Sequence, residues 1–234
     1  MTAFVQAQVS RPFPDWTWFD DGNIDRLREL LVEHLQLTVL AMLFGLLIAV
    51  PLAVVAVRWR RLYSPLLNVT GLLFTVPSAA LFVLLLAVLP QTDPFGLQIG
   101  TSLIGLTIYT LLILFRNTVA GLDSVPREVT ESATAMGYTP GRRLLQVEFP
   151  LALPVIIAGV RIATVTTIGL VTVTAFIGQG GLGQLFITGF QRQYTMEVAV
   201  GLVLSIVLAV VADLALVWLE RALTPWSRTR GAGA

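Results

Sequence analysis

Five long apolar stretches dominate this chain of 234 residues and restrict the folds that it can adopt. A helix rises about 1.5 Å per residue, so about 20 mostly apolar residues are needed to cross a hydrocarbon core of about 30 Å. Each stretch has that length, and the five cover residues 35–57, 66–89, 99–121, 155–177 and 198–219. We therefore expect an all-α, polytopic transmembrane domain with five core spans.

The composition agrees with a membrane protein and argues against several other classes. Hydrophobic residues make up 56% and charged residues 12% of the chain, whereas a soluble domain has about 25% charged residues. With 15 basic and 14 acidic residues and no concentrated basic face, nothing indicates a nucleic-acid partner. There is no cysteine, and His34 is the single histidine, so we expect neither a disulfide nor a metal site.

All 15 basic residues are arginines, and their distribution predicts the orientation in the membrane. Cytoplasmic loops and helix flanks retain an excess of basic residues. With the N-terminus outside, the cytoplasmic set is Arg58, Arg60, Arg61, Arg116, Arg127, Arg142, Arg143, Arg161, Arg221, Arg228 and Arg230. The outer set is then Arg11, Arg26, Arg28 and Arg192. We expect an extracytoplasmic segment 1–32 that is not a signal peptide, a transmembrane domain 33–221 and a cytoplasmic tail 222–234.

In this topology, residues 122–154 form the one long cytoplasmic loop, and the pattern predicts two short helices with a hinge. The boundary signals are Ser124 as N-cap, Pro126 in the first turn, Gly137 as stop, Thr139 and Pro140 as restart, and Pro150 as end. Val129, Ala133 and Met136 share one face of the first helix. The alternative is a loop that only connects two spans.

This loop resembles the signature of permeases of ABC importers, Glu-Ala-Ala-x-x-x-Gly followed after nine residues by Ile-x-Leu-Pro. The matching residues are Glu131, Ser132, Ala133, Gly137, Val147, Phe149 and Pro150. The departures at Ser132, Val147 and Phe149 keep a small or apolar side chain. The resemblance implies a coupling helix that docks in a cleft of an ATPase subunit.

Three of the matching residues have a physical reading in such a contact. Ala133 and Gly137 lack bulk where another backbone approaches closely, and Glu131 offers a charged contact. Alternatively, Glu131 only supports its own helix through an i, i+4 pair with Arg127.

The resemblance also implies partners and a location. They are a second, identical or homologous permease, two ABC ATPase subunits, an extracytoplasmic substrate-binding protein and the lipid bilayer of a bacterial cell membrane. The chain has no Gly-x4-Gly-Lys-Ser/Thr loop, so ATP and Mg²⁺ are expected on the ATPase and no cofactor on this chain.

Other motifs more narrowly resemble permeases for the osmoprotectants glycine betaine, carnitine and choline. They are found at residues 33–38, 75–78, 109–121, 158–164 and 176–183. Phe115 stands where that family commonly has Ile, and Gln179 where it often has Ala. Methionine permeases share the five-span plan and the loop signature, so methionine remains the alternative substrate.

Polar residues and glycines in or near the spans are candidates for the pathway or its gates. Those of the spans are Thr75, Pro77, Ser78, Asn117, Thr164, Thr167 and Asp213; those of the outer turn are Gly178, Gly180, Gly181 and Gly183. The alternatives are a simple kink at Pro77, threonines bonded within or between helices, and a flexible glycine loop. Asp213 needs a cavity or a partner, for which Arg116 and Arg161 are candidates.

Two other classes of function remain open at this point. A membrane-embedded enzyme needs a cluster of catalytic groups at membrane depth, and one histidine with one buried aspartate does not provide it. A passive channel or a membrane scaffold would need neither the loop signature nor an ATPase.

Overall fold

In a computed structural model, the described residues are 13–89 and 100–226, and these contain helices and turns without a strand. The nine α-helices of this part are α1 Asp21–Arg58, α2 Arg60–Phe74, α3 Ser78–Val88, α4 Gly100–Asp123, α5 Arg127–Ala135, α6 Pro140–Arg143, α7 Phe149–Val173, α8 Gly183–Gln191 and α9 Thr195–Leu223. Short 3₁₀ turns lie at Trp16–Trp18 and Thr174–Ile177, and a π turn at Leu144–Glu148 joins α6 to α7. The all-α prediction is confirmed.

Four of the helical segments are long and apolar enough to cross a membrane. They are α1, α4, the continuous segment Pro140–Ile177 and α9. The fifth candidate is the pair α2 and α3, which bends by 94° at a short break. The prediction of five spans therefore holds when this broken pair counts as one span.

The second apolar stretch is not a straight helix, because Pro77 interrupts it. Proline has no N–H to donate and its ring collides with the preceding turn. Here α2 ends at Phe74, Pro77 has extended backbone, and α3 begins at Ser78. A simple kink does not describe a bend of this size.

The centre of the bundle is α4, which packs against α1 on one side and α7 on the other. Small residues allow the close approach: Gly45 of α1 faces Thr110, Gly105 faces Phe82, and Gly159 of α7 faces Asn117. Ala49, Ala53 and Ala56 of α1 are also fully buried. Small residues at such crossings are typical of membrane helices, which associate through van der Waals contact.

Helix α9 lies at the edge of the bundle and exposes most of its apolar side chains. Leu202, Val203, Ile206 and Val210 are each about half exposed. In a bilayer such a face contacts lipid tails, so this exposure agrees with a membrane location.

The predicted boundary at residue 33 falls inside a helix. Helix α1 begins at Asp21, and the Oδ1 atom of Asp20 accepts a hydrogen bond of 2.7 Å from the backbone N–H of Asn23. Trp18 is buried in a cluster with Leu185 and Val200. The described part of the N-terminal segment is therefore continuous with the bundle, and residues 1–12 and 227–234 lie outside the description.

A prediction follows from the α4 crossing. A methyl group added at Gly105 would overlap the fully buried ring of Phe82, so Gly105→Ala should destabilise the protein by about 1–3 kcal/mol. Gly169→Ala is the control, because nothing lies within 4 Å of that position and alanine favours a helix by about 1 kcal/mol. Thermal unfolding in detergent measures both, and equal midpoints for the two variants would contradict this packing.

Candidate functional site

The loop after α4 folds as two short helices joined by a tight turn, as the sequence predicts. Gly137 has φ of +84°. Its N–H donates to the Thr134 carbonyl at 3.0 Å, and the Tyr138 N–H donates to the Ala133 carbonyl at 3.1 Å. This pair of bonds closes a helix C-terminus around a left-handed residue, a conformation that glycine adopts readily.

Three details of the predicted loop are wrong. Ser124 does not cap α5; its Oγ donates to the Gly121 carbonyl at 2.7 Å and closes α4. Pro126 occupies the N-cap position rather than the first turn. Pro150 does not end the second helix, because the π turn directs the Phe149 N–H to the Leu144 carbonyl, which alters the register in the turn before the proline.

Ala133 is turned toward its own chain. It is 1% exposed and lies on α5, which packs against α6 and the π turn. Its small size is therefore already needed inside the loop. Gly137 has no neighbour within 4 Å of an added methyl group, so its backbone conformation alone accounts for the glycine.

The exposed surface of the loop consists of other residues. Met136 is 72% exposed and Leu145 is 71% exposed, although the sequence pattern places Met136 on the same helix face as Ala133. Glu131 and Ser132 are exposed, and the Ser132 Oγ donates to the Glu128 carbonyl at 2.7 Å. Val147, Phe149 and Pro150 are half-buried.

Polar contacts hold the two loop helices together. The Arg143 Nε donates to Glu148 Oε1 at 2.5 Å, and its Nη1 donates to Thr134 Oγ1 at 2.8 Å. Arg127 and Glu131 form no ion pair with each other in the described structure. The two loop helices are thus joined by side-chain contacts, and the side chain of Glu131 is free to face a partner.

At the break between α2 and α3, an aromatic side chain satisfies the backbone. Tyr109 of α4 donates its hydroxyl to the Val76 carbonyl at 2.5 Å, and its ring lies 6.2 Å from that of Phe74 and 6.5 Å from that of Phe82. Thr75 and Pro77 are exposed and Ser78 is half-buried. Their place on the transport pathway stays a prediction.

The threonines of α7 use their hydroxyls within the bundle. Thr167 bonds to Thr110 of α4 at 2.9 Å, and Thr164 donates to the Val160 carbonyl at 2.8 Å. Both side chains are buried in the described bundle, and their place on the transport pathway stays a prediction. Asn117 likewise donates to the Ile113 carbonyl at 2.8 Å.

Asp213 has a cationic partner. Arg161 of α7 donates from Nε and Nη2 to the two carboxylate oxygens of Asp213 at 2.8 and 3.0 Å, and from Nη1 to Glu220 at 3.4 Å. Of the two arginines that the sequence offered, Arg161 is therefore the partner. A bidentate pair of this kind fixes α7 against α9.

The glycine segment after α7 is a packed turn and not a flexible loop. Gly178, Gly180 and Gly181 have positive φ. A methyl group added at Gly181 would overlap His34 and the Leu30 carbonyl of α1. A methyl group at Gly180 would overlap the Val171 carbonyl, and a methyl group at Gly183 would overlap the Thr172 backbone. The Gly180 N–H also donates to Glu33 Oε1 at 3.1 Å. Its role as an outer gate stays a prediction.

Sequence reasoning missed a buried charge at the same end of the molecule. Glu197, at the start of α9, is 1% exposed and accepts hydrogen bonds from Arg26 Nη1 at 2.7 Å and from Thr188 Oγ1 at 2.6 Å. Arg26 Nη2 also donates to Thr188 at 3.1 Å. The only sequence signals are Glu197, directly before the last apolar stretch, and Arg26, which lies among acidic residues before the first apolar stretch.

Comparison with known proteins gives one family. The family model described as "Binding-protein-dependent transport system inner membrane component" matches residues 40–225. The chain is 37% identical over 200 residues to the glycine betaine/carnitine/choline transport system permease protein OpuCD of Bacillus subtilis (strain 168), covering 85% of each chain. It is 38% identical over 205 residues to the osmoprotectant import permease protein OsmW of Salmonella typhimurium (strain LT2), covering 87% of this chain and 94% of that protein.

A solved structure shares the fold. A chain of an inward-facing MetNI methionine ABC transporter superposes with a TM-score of 0.78 at 23% identity, covering 88% of this chain and 99% of that one. At this identity the likeness concerns the fold alone.

The buried Glu197 gives a second prediction. Arg26→Met would leave a carboxylate without its main cation in a buried position, which typically costs about 3–5 kcal/mol. Arg28→Met is the matched control, because Arg28 is 74% exposed and its one ion pair among the described residues is with Asp25, a contact worth about 0–1 kcal/mol. Thermal unfolding in detergent should separate the two variants clearly; indistinguishable stabilities would contradict a structural role for the Arg26–Glu197 pair.

Proposed function

Since the chain belongs to the family of binding-protein-dependent transport system inner membrane components, we propose that it forms the translocation pathway of an ATP-driven ABC importer for an osmoprotectant. Glycine betaine, carnitine and choline are the candidate substrates. The observation that supports the importer is the folded loop 124–148, which presents exposed apolar side chains at one end of the bundle. The names of the relatives OpuCD and OsmW support the substrate class.

The N-terminus lies outside and the C-terminus in the cytoplasm. The arginine distribution supports this orientation, because it places the loop with Arg127, Arg142 and Arg143 on the cytoplasmic side. Two ATPase subunits then bind ATP and Mg²⁺ on that side. The substrate-binding protein docks at the other end, where α8 and the glycine turn lie.

A second permease completes the pathway. The centre of the described bundle is α4, whose side chains are mostly buried against α1 and α7, so a path does not run through the middle of one chain. When two identical or homologous permease chains assemble around a twofold axis, a path can run between them.

The contact with the ATPase uses Met136, Leu145 and Glu131. These side chains are exposed on the loop, and apolar groups such as Met136 and Leu145 are typical of the centre of a protein interface. Ala133 and Gly137 act indirectly, because they set the shape of the loop. A bulky residue at either position would therefore disturb the loop itself and would not test docking alone.

Docking can be tested with Met136→Asp. A charge at the centre of the contact should lower copurification with the ATPase about 10-fold or more, while the amount of permease in the membrane stays normal. Phe190→Asp is the control at the opposite end, where the ring is 82% exposed, and it should leave copurification unchanged. Normal copurification and ATP turnover with Met136→Asp would argue that this loop only connects two spans.

The substrate is tested by uptake of labelled glycine betaine, carnitine, choline and methionine into a deletion strain, with and without the gene. We expect gene-dependent uptake of at least one of the three quaternary amines, and loss of this uptake when the ATPase gene is deleted. Uptake of methionine alone would contradict the proposed substrate class but not the proposal that the chain belongs to an importer. Uptake that persists without the ATPase would instead indicate a passive channel.

A further inference from the structure

Arg116 lies inside α4 and has no partner among the described residues. Its side chain is exposed and makes no hydrogen bond or ion pair within residues 13–89 and 100–226. It is seven residues from the end of α4 at Asp123, which is about 10 Å along the helix axis. An arginine in the interior of a membrane-spanning helix generally faces the bundle, a cavity or a ligand and not lipid.

The packing of α2 on α4 shows what Arg116 faces. Tyr63 of α2 donates its hydroxyl to Asp123 at 2.7 Å, and near the other end Tyr109 reaches the Val76 carbonyl. The two helices are thus antiparallel, and Arg116 falls between these contacts, opposite Gly71. A methyl group added at Gly71 would lie 3.0 Å from Arg116 Nη2, so the absence of a side chain there leaves room for the guanidinium group.

Aromatic rings lie between Arg116 and the break that separates α2 from α3. Phe74 is on the same face of α2 as Gly71, because residues i and i+3 are neighbours on a helix. Its half-exposed ring makes an edge contact with Tyr109, and Tyr109 is fixed by its bond to Val76. Helix α2 ends at Phe74, so the partial negative charge of its C-terminus adds to the negative faces of the rings.

From this arrangement we infer a binding site for a zwitterion between α2 and α4. Arg116 receives the carboxylate, and the Phe74 ring beside the α2 C-terminus receives the quaternary ammonium group. The inference rests on the proposed function and narrows the candidate substrates to the betaines, which carry both a quaternary ammonium group and a carboxylate. In glycine betaine one methylene joins the two charged groups and in carnitine three carbons do, whereas choline has no carboxylate for Arg116.

The site can be tested without the substrate-binding protein. The permease–ATPase complex in lipid nanodiscs is titrated with glycine betaine and with choline, and saturation-transfer NMR follows the trimethylammonium protons. Phe74→Leu should weaken binding of both molecules about 3- to 20-fold, the range expected for a lost cation–π contact. Arg116→Gln should weaken glycine betaine about 10-fold or more and change choline less than about 2-fold.

The controls are Arg61→Gln, which removes an arginine near the start of α2, and Phe190→Leu, which removes an exposed ring in α8. Both should bind like the wild type. A wild-type complex that transports glycine betaine with its receptor but shows no binding here would overturn the site and leave the proposed function intact. An Arg116→Gln variant that loses both molecules equally would also overturn it, because that result indicates a purely structural arginine.

Discussion

Within a bilayer, water is not available to the backbone, so every peptide group of a span has to be bonded within the protein. Continuous helices meet this condition by themselves. The break between α2 and α3 does not, because Pro77 donates no hydrogen bond and the carbonyls before it lose their helical partners. Tyr109 therefore has a structural role, as its hydroxyl bonds to the Val76 carbonyl, and the position of the break relative to α4 depends on that contact.

The same condition explains how charges are placed. Arg161 pairs with Asp213 and Glu220 between α7 and α9, and Arg26 pairs with Glu197 where α1, α8 and α9 meet. Each pair joins helices that are distant in sequence. Arg116, in the interior of α4, has no such acid among the described residues, which is why the binding of an anionic group is assigned to it and not to Arg161.

Much of the fold follows from the sequence because length and apolarity determine spans almost alone. Loop boundaries were less predictable. Ser124 can cap the helix after it or close the helix before it, and the choice depends on tertiary packing. Pro150 is a strong stop signal, yet the π turn before it lets the helix continue.

The site was partly predictable for a similar reason. Gly137 has a local cause, its positive φ, and so the hinge was found from the sequence. The burial of Ala133, the exposure of Met136 and the pairing of Arg26 with Glu197 depend on contacts between distant segments, for which a single sequence gives no signal. The same holds for Thr164 and Thr167, whose hydroxyls bond to the Val160 carbonyl and to Thr110; their pathway roles stay predictions.

The central claim is that the loop around Met136 meets an ATPase while α8 lies on the opposite side of the membrane. The chain contains no cysteine, so single substitutions Met136→Cys and Phe190→Cys each give this chain one reactive thiol, which can be crosslinked in native membranes that contain the whole transporter. The proposed arrangement predicts a crosslink from residue 136 to the ATPase and none from residue 190. A crosslink from residue 190 to the ATPase, or modification of residue 136 by an impermeant reagent added outside intact cells, would contradict it.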